Sequence, residues 1–142
     1  MLDNDYSKRL DSIIRSVTWN IDLPAEMARY FEETGASSVL TDDERHGQRR
    51  KVRTLAIMRP ERTLPSVPRS KDPVGVYSKD FSRHGCACIA SSQVYPEEIV
   101  RILLPTLWLR VLVVRGRRLG SSCYEFGGEL LEQHQPSVAA FD

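Results

Sequence analysis

The sequence has no apolar run approaching the roughly 18 to 20 residues that a membrane span needs. Its start, Met1 to Leu10, is polar and charged, unlike a secretion signal. The expectation is a cytoplasmic protein with no membrane span. Cysteine and histidine are scarce, at three each in 142 residues. Three thiols cannot all pair, and Cys86 and Cys88 share one face of any extended segment. A Cys-x-Cys pair converges poorly on a tetrahedral ion, so small buried hydrophobes are expected rather than a metal site built from His84, Cys86, Cys88 and Cys123. Charge of one sign is lacking too, with 20 Lys and Arg against 19 Asp and Glu for a net +1. No global field is left for coating DNA or a membrane surface, and any charge-driven role must be local. Aromatic residues at 8% are too few for a stacking platform along single-stranded nucleic acid.

What remains is ordinary globular composition, 41% hydrophobic, in a chain long enough for one domain with its own core. Tyr6, Leu10, Ile13, Ile14 and Val17 fall at helical spacing with charge on the other faces, which predicts an amphipathic helix. Pro24 suits a first helical turn, Leu23, Met27 and Phe31 follow four apart, and Gly35 is a stop, which predicts a second, shorter helix. Asp3, Asp5, Asp11, Asp22, Glu26, Glu32 and Glu33 make this pair too acidic for a phosphate-facing helix-turn-helix. Packing or protein contact is the better reading.

From residue 52 the period becomes extended, with strand candidates at 52–58, 74–79, 86–91, 99–104, 107–115 and 122–131. Alternation is clearest in Leu107, Leu109, Val111 and Val113, with Arg110 on the opposite face. Pro60, Pro65, Pro68 and Pro73 break the chain after the first of these. Six short antiparallel strands closing into a barrel leave no exposed edge. The fold class expected is mainly β, a six-stranded antiparallel barrel with N-terminal helices. Its parts would be a helical segment 1–40, an arginine-rich segment 41–53, the barrel 54–132 and a tail 133–142.

Two short stretches carry candidate chemistry. In Asp42-Asp43-Glu44-Arg45-His46-Gly47-Gln48-Arg49-Arg50-Lys51-Val52-Arg53 an acidic cluster passes into a basic run where helix gives way to strand. A solvated linker has this composition, and so does an anion grip. Arginine suits the grip because its planar guanidinium bonds two acceptors at once, whether guanine O6 and N7 or phosphate oxygens. Asp80-Phe81-Ser82-Arg83-His84-Gly85 is in isolation an ordinary turn. Read functionally, the Asp80 carboxylate accepts from guanine N1–H and N2–H, Ser82 reaches base or phosphate, and Gly85 lets a ligand approach the backbone.

Together, Arg49-x-x-x-Arg53 entering the first barrel strand and Asp80-x-Ser82-x-x-Gly85 further on resemble the PilZ domain family. The likeness extends over roughly residues 45–132, taking in the strand 107–115, Arg117-Arg118 and Tyr124-Glu125-Phe126-Gly127. It implies a receptor for cyclic di-GMP. Arg49 and Arg53 would hold guanine edges and phosphates, and Asp80, Ser82 and Gly85 would line the other side of the pocket. Arg50 is a candidate for reaching a second, stacked ligand molecule. Arg45 to Arg49 spells the same Arg-x-x-x-Arg pattern, so a second register stays open. The long segment Arg59 to Asp72 between the motifs departs from the family and is expected to reshape the barrel mouth.

No activated nucleophile or paired acid and base can be assembled from His46, His84, His134, Cys86, Cys88 or Ser121-Ser122, so an enzyme is not expected, nor any cofactor beyond the ligand. A receptor would change conformation on binding and signal to a protein partner, because the arginine run joins the N-terminal segment to the barrel. The alternative is a protein-interaction module of the same fold that binds no nucleotide.

Overall fold

A computed structural model describes residues 4–32, 35–36 and 50–142. The predicted first helix, α1, spans Asn4–Ser16 and buries Tyr6 and Leu10. With Ile13, Ile14 and Val17 these pack on Ile57, Leu103 and Trp108 of the sheet. The next stretch is not the helix expected from Leu23, Met27 and Phe31. It forms two single turns of 3-10 helix, Ala25–Met27 and Tyr30–Glu32. Tertiary demand overrides the helical spacing here. Tyr30 turns inward at 2% exposure and donates its hydroxyl to the Ser78 carbonyl at 2.6 Å, which leaves Phe31 43% exposed.

The strands are β1 (Gly35–Ala36), β2 (Arg50–Lys51), β3 (Leu55–Arg62), β4 (Val74–Phe81), β5 (Gly85–Ala90), β6 (Ile99–Leu103), β7 (Trp108–Gly120) and β8 (Cys123–His134). All pairings are antiparallel, in the order β4-β3-β6-β7-β8-β5, and β5 returns to β4. The six-stranded barrel is therefore closed, as expected. Two-residue β2 continues the line of β3 along β4, and β1 pairs outside it. Side chains alternate as the period-two pattern requires. Ala56, Met58, Val76, Cys86, Cys88, Ile102, Leu109, Val111 and Phe126 fill the interior, while Ile57, Ile89 and Cys123 face outward beneath the N-terminal segment.

Pro60 does not end its strand. β3 runs on to Arg62 with a register shift after Pro60. Beyond Met58 it has lost its pairing with β4, and an edge position tolerates a residue without an N–H. The proline-rich segment reaches the barrel end away from the Asp80–Gly85 turn, where Arg69 forks onto the fully buried Glu98 at 2.7 and 2.9 Å. The last residues double back, so that Arg59 and Arg101 donate to the carbonyl of Ala140. Among the described residues no helix is long and apolar enough to cross a membrane.

Candidate functional site

The backbone ladder brings the two motifs together. β2 lies antiparallel to the end of β4, with Arg50 opposite Phe81 and Lys51 opposite Asp80. Residues thirty apart in sequence thus become hydrogen-bonded neighbours, and Val52 N donates to Lys79 O at 3.1 Å. The strand irregularity between Ser78 and Asp80 is held from inside by Ser78, whose hydroxyl donates to the Val52 carbonyl and accepts from Thr54 N at 3.0 Å.

Beyond Asp80 the chain turns tightly, with Ser82 N donating to Gly85 O at 2.9 Å. Gly85 is needed for close approach to β8, because a Cβ there would stand 2.9 Å from Gly128 O. Asp80, Ser82 and Gly85 converge on one small recess of about 50 Å³, which Cys86, Gly128 and the Arg115 side of β7 complete. A shallow groove of about 250 Å³ continues from it along Arg115, Arg117, Glu125 and Gly127. The wall therefore offers acceptors at Asp80, a hydroxyl at Ser82 and a guanidinium at Arg115, within reach of one bound molecule.

Arg115 was not visible as a site residue in the sequence, where it is one arginine in a long basic strand. The usable signal was Gly127-Gly128 in a strand interior, a pattern that marks close approach. The Arg115 guanidinium lies across Gly127, whose Cβ would come within 2.9 Å of it. Glu125 is engaged by Lys79 at 2.7 Å and Arg117 at 3.4 Å. Burial pushes its pKa up, but these two cations outweigh burial and hold the carboxyl below its usual range.

The remaining predicted residues fall in different places. Arg49, with the alternative Arg45-to-Arg49 register, lies outside the described residues. Arg50 is exposed on β2 at the barrel mouth. Arg53 does not enter the recess. Its guanidinium lies 4.3 Å from the Tyr30 ring centroid, and Nη1 is 3.5 Å from Tyr30 O. Burial raises the Tyr30 pKa far above the ordinary phenol value, so its hydroxyl stays a donor. Nothing in the residue spacing marks Tyr30 as the anchor of Arg53. Cys86 and Cys88 line the interior and Cys123 lies in the outer cluster, so the thiols do not converge. Among the described residues no group of His, Cys, Asp and Glu is arranged to hold a metal ion. Family models, curated proteins and solved structures give no match to the chain.

Proposed function

We propose that the outer wall of the barrel binds cyclic di-GMP, that the chain is a receptor of the PilZ type rather than an enzyme, and that binding is passed through the N-terminal segment to a protein partner. The observation that carries this reading is the β2–β4 register, which sets Arg50 and Lys51 directly opposite Phe81 and Asp80. A guanine needs a carboxylate for its N1–H and N2–H and forked donors for O6 and N7. Asp80 supplies the first, and the run from Arg49 to Arg53 supplies the second. The two phosphates of the ligand need cations of their own, and Arg115 at the recess supplies one.

The N-terminal segment is coupled to the site through Tyr30. Tyr30 touches Arg53 on one side and bonds Ser78, two residues from Asp80, on the other. A ligand that draws Arg53 toward a guanine competes with its contact to Tyr30. The movement is felt in the 3-10 turns, the second of which carries the exposed Phe31.

Calorimetry with cyclic di-GMP, with GTP and cyclic di-AMP as controls, tests the reading. Selective binding at micromolar or lower concentration is expected. Replacing Asp80, Arg53 or Arg115 by Ala should each weaken it by about 1–3 kcal/mol, roughly tenfold to a hundredfold. A flat titration with a folded protein would favour the alternative, an interaction module without nucleotide. That alternative draws on Phe31 and Leu55, 43% and 38% exposed, which flank Tyr77 on the same wall.

A further inference from the structure

The inner side of the same barrel end holds a second concavity. It measures about 580 Å³, within the roughly 300–1,000 Å³ typical of small-molecule sites. Its floor and walls are mainly apolar, from Phe81, Leu104, Leu107, Leu109 and Leu130, Ser82 borders both it and the outer recess, and Arg50 on the rim is the one charged residue among the described lining. The two ends of the barrel differ. One carries the proline-rich segment and the Arg69–Glu98 fork, while at the other, among the described residues, leucine side chains surround an open mouth. The recess of Asp80 and Gly85 lies on the outer face of the wall, whereas these leucines belong to the interior core or pack against it.

We propose that the barrel mouth is a binding site for one free medium-chain fatty acid, its tail among Leu104, Leu107, Leu109 and Leu130 and its carboxylate at Arg50. The core of so narrow a barrel is filled by its own side chains, so the concavity at its mouth has room for a single slender apolar chain and excludes a two-tailed lipid or a folded segment. A lone cation at the rim selects an anionic head over a neutral or cationic one. The guanidinium can bond both carboxylate oxygens at once while the tail removes the leucine surface from water. This site goes beyond nucleotide binding and stands or falls without it.

The test is calorimetric titration of the full chain, free of nucleotide, with decanoate below its micelle-forming concentration. Decanol and decyltrimethylammonium serve as headgroup controls and acetate as the tail-less control. Saturable binding of one decanoate per chain is expected, tighter than decanol, with no binding of the cationic amphiphile or acetate. Arg50→Gln, an exposed rim change that leaves the core intact, should weaken decanoate about fivefold and leave decanol unchanged. Leu107→Trp should fill the mouth and abolish binding of both, with circular dichroism confirming the fold. The proposal is overturned if decanoate shows no saturable binding, if the three headgroups bind alike, or if Arg50→Gln changes nothing. Because no nucleotide is present, these outcomes are independent of the cyclic di-GMP titration.

Discussion

Glu98→Gln removes the charge of a fully buried carboxylate while preserving its shape. In the native protein Glu98 accepts from Arg69 Nε at 2.7 Å, from Arg69 Nη2 at 2.9 Å and from Tyr95 N at 2.7 Å. All three partners are donors, so the amide nitrogen of Gln must face one of them, and the surviving bonds lose the charge that strengthens them. Breaking a buried pair costs about 3–5 kcal/mol when the stranded charge has nowhere to go. Arg69 retains 17% side-chain exposure and a bond to the Gln93 carbonyl at 2.9 Å, which lowers the expected loss. About 2–3 kcal/mol is expected, or roughly 6–12 °C in Tm for a domain of this size. Urea unfolding should show a lower midpoint at unchanged m. A double-mutant cycle with Arg69→Met should return a coupling of at least about 1 kcal/mol. A loss below about 0.5 kcal/mol, or additive single changes, would refute the claim that this fork pins the proline-rich segment. Nucleotide titrations should be unaffected, because the fork sits at the other end of the barrel.

Two further outcomes follow from the same geometry. Gly85→Ala brings a Cβ to 2.9 Å from Gly128 O and should cost about 1–3 kcal/mol in urea unfolding. Gly128→Ala, whose Cβ would meet Leu112 O at 2.2 Å, should cost more than Gly85→Ala, and equal losses would contradict the packing described. Glu61 and Glu125 are each held below the usual carboxylate range, since burial raises their pKa but arginine or lysine partners outweigh it. A depressed folded pKa contributes stability that is complete above the unfolded value, about 4.3, and disappears as pH falls through the folded value. Stability should therefore be flat from neutral pH down to about 5 in this respect and decline below about 4. Glu125→Gln should flatten that decline, and thermal melts across pH 2–6 check it.

The barrel was legible because its signal is redundant. Leu107, Leu109, Val111 and Val113 alternate, proline-bearing connections separate several of the candidate segments, and closure explains the strand number. The adjacency of the Arg50 and Asp80 regions could be anticipated only from motif order, since nothing in either stretch encodes a β2–β4 register. Tyr30 was missed because its spacing neighbours Met27 and Phe31 suggested a helix, whereas a buried hydroxyl bond to Ser78 fixed a tighter turn. Glu98 was missed because an acid beside Glu97 reads as surface. Its burial depends on Glu97 taking a φ of 81° and on an arginine twenty-nine residues away. Arg115 acquires meaning only when β8 sets two glycines opposite it.

The Tyr6 hydroxyl donates to the carbonyls of Leu104 and Leu107, 98 and 101 residues further along the chain, and the same helix carries Arg9, which lies over Phe141. Synthesis proceeds from the N-terminus, so α1 leaves the ribosome long before anything it packs against exists. Ile57 of β3 is the first of its partners to be made, and the seat is complete only when the β6–β7 hairpin and then the final 3-10 turn, Val138–Phe141, have followed. The earliest part of this fold to be translated is among the last to be secured, and for that interval the nascent chain presents a sticky helix to whatever chaperone attends it.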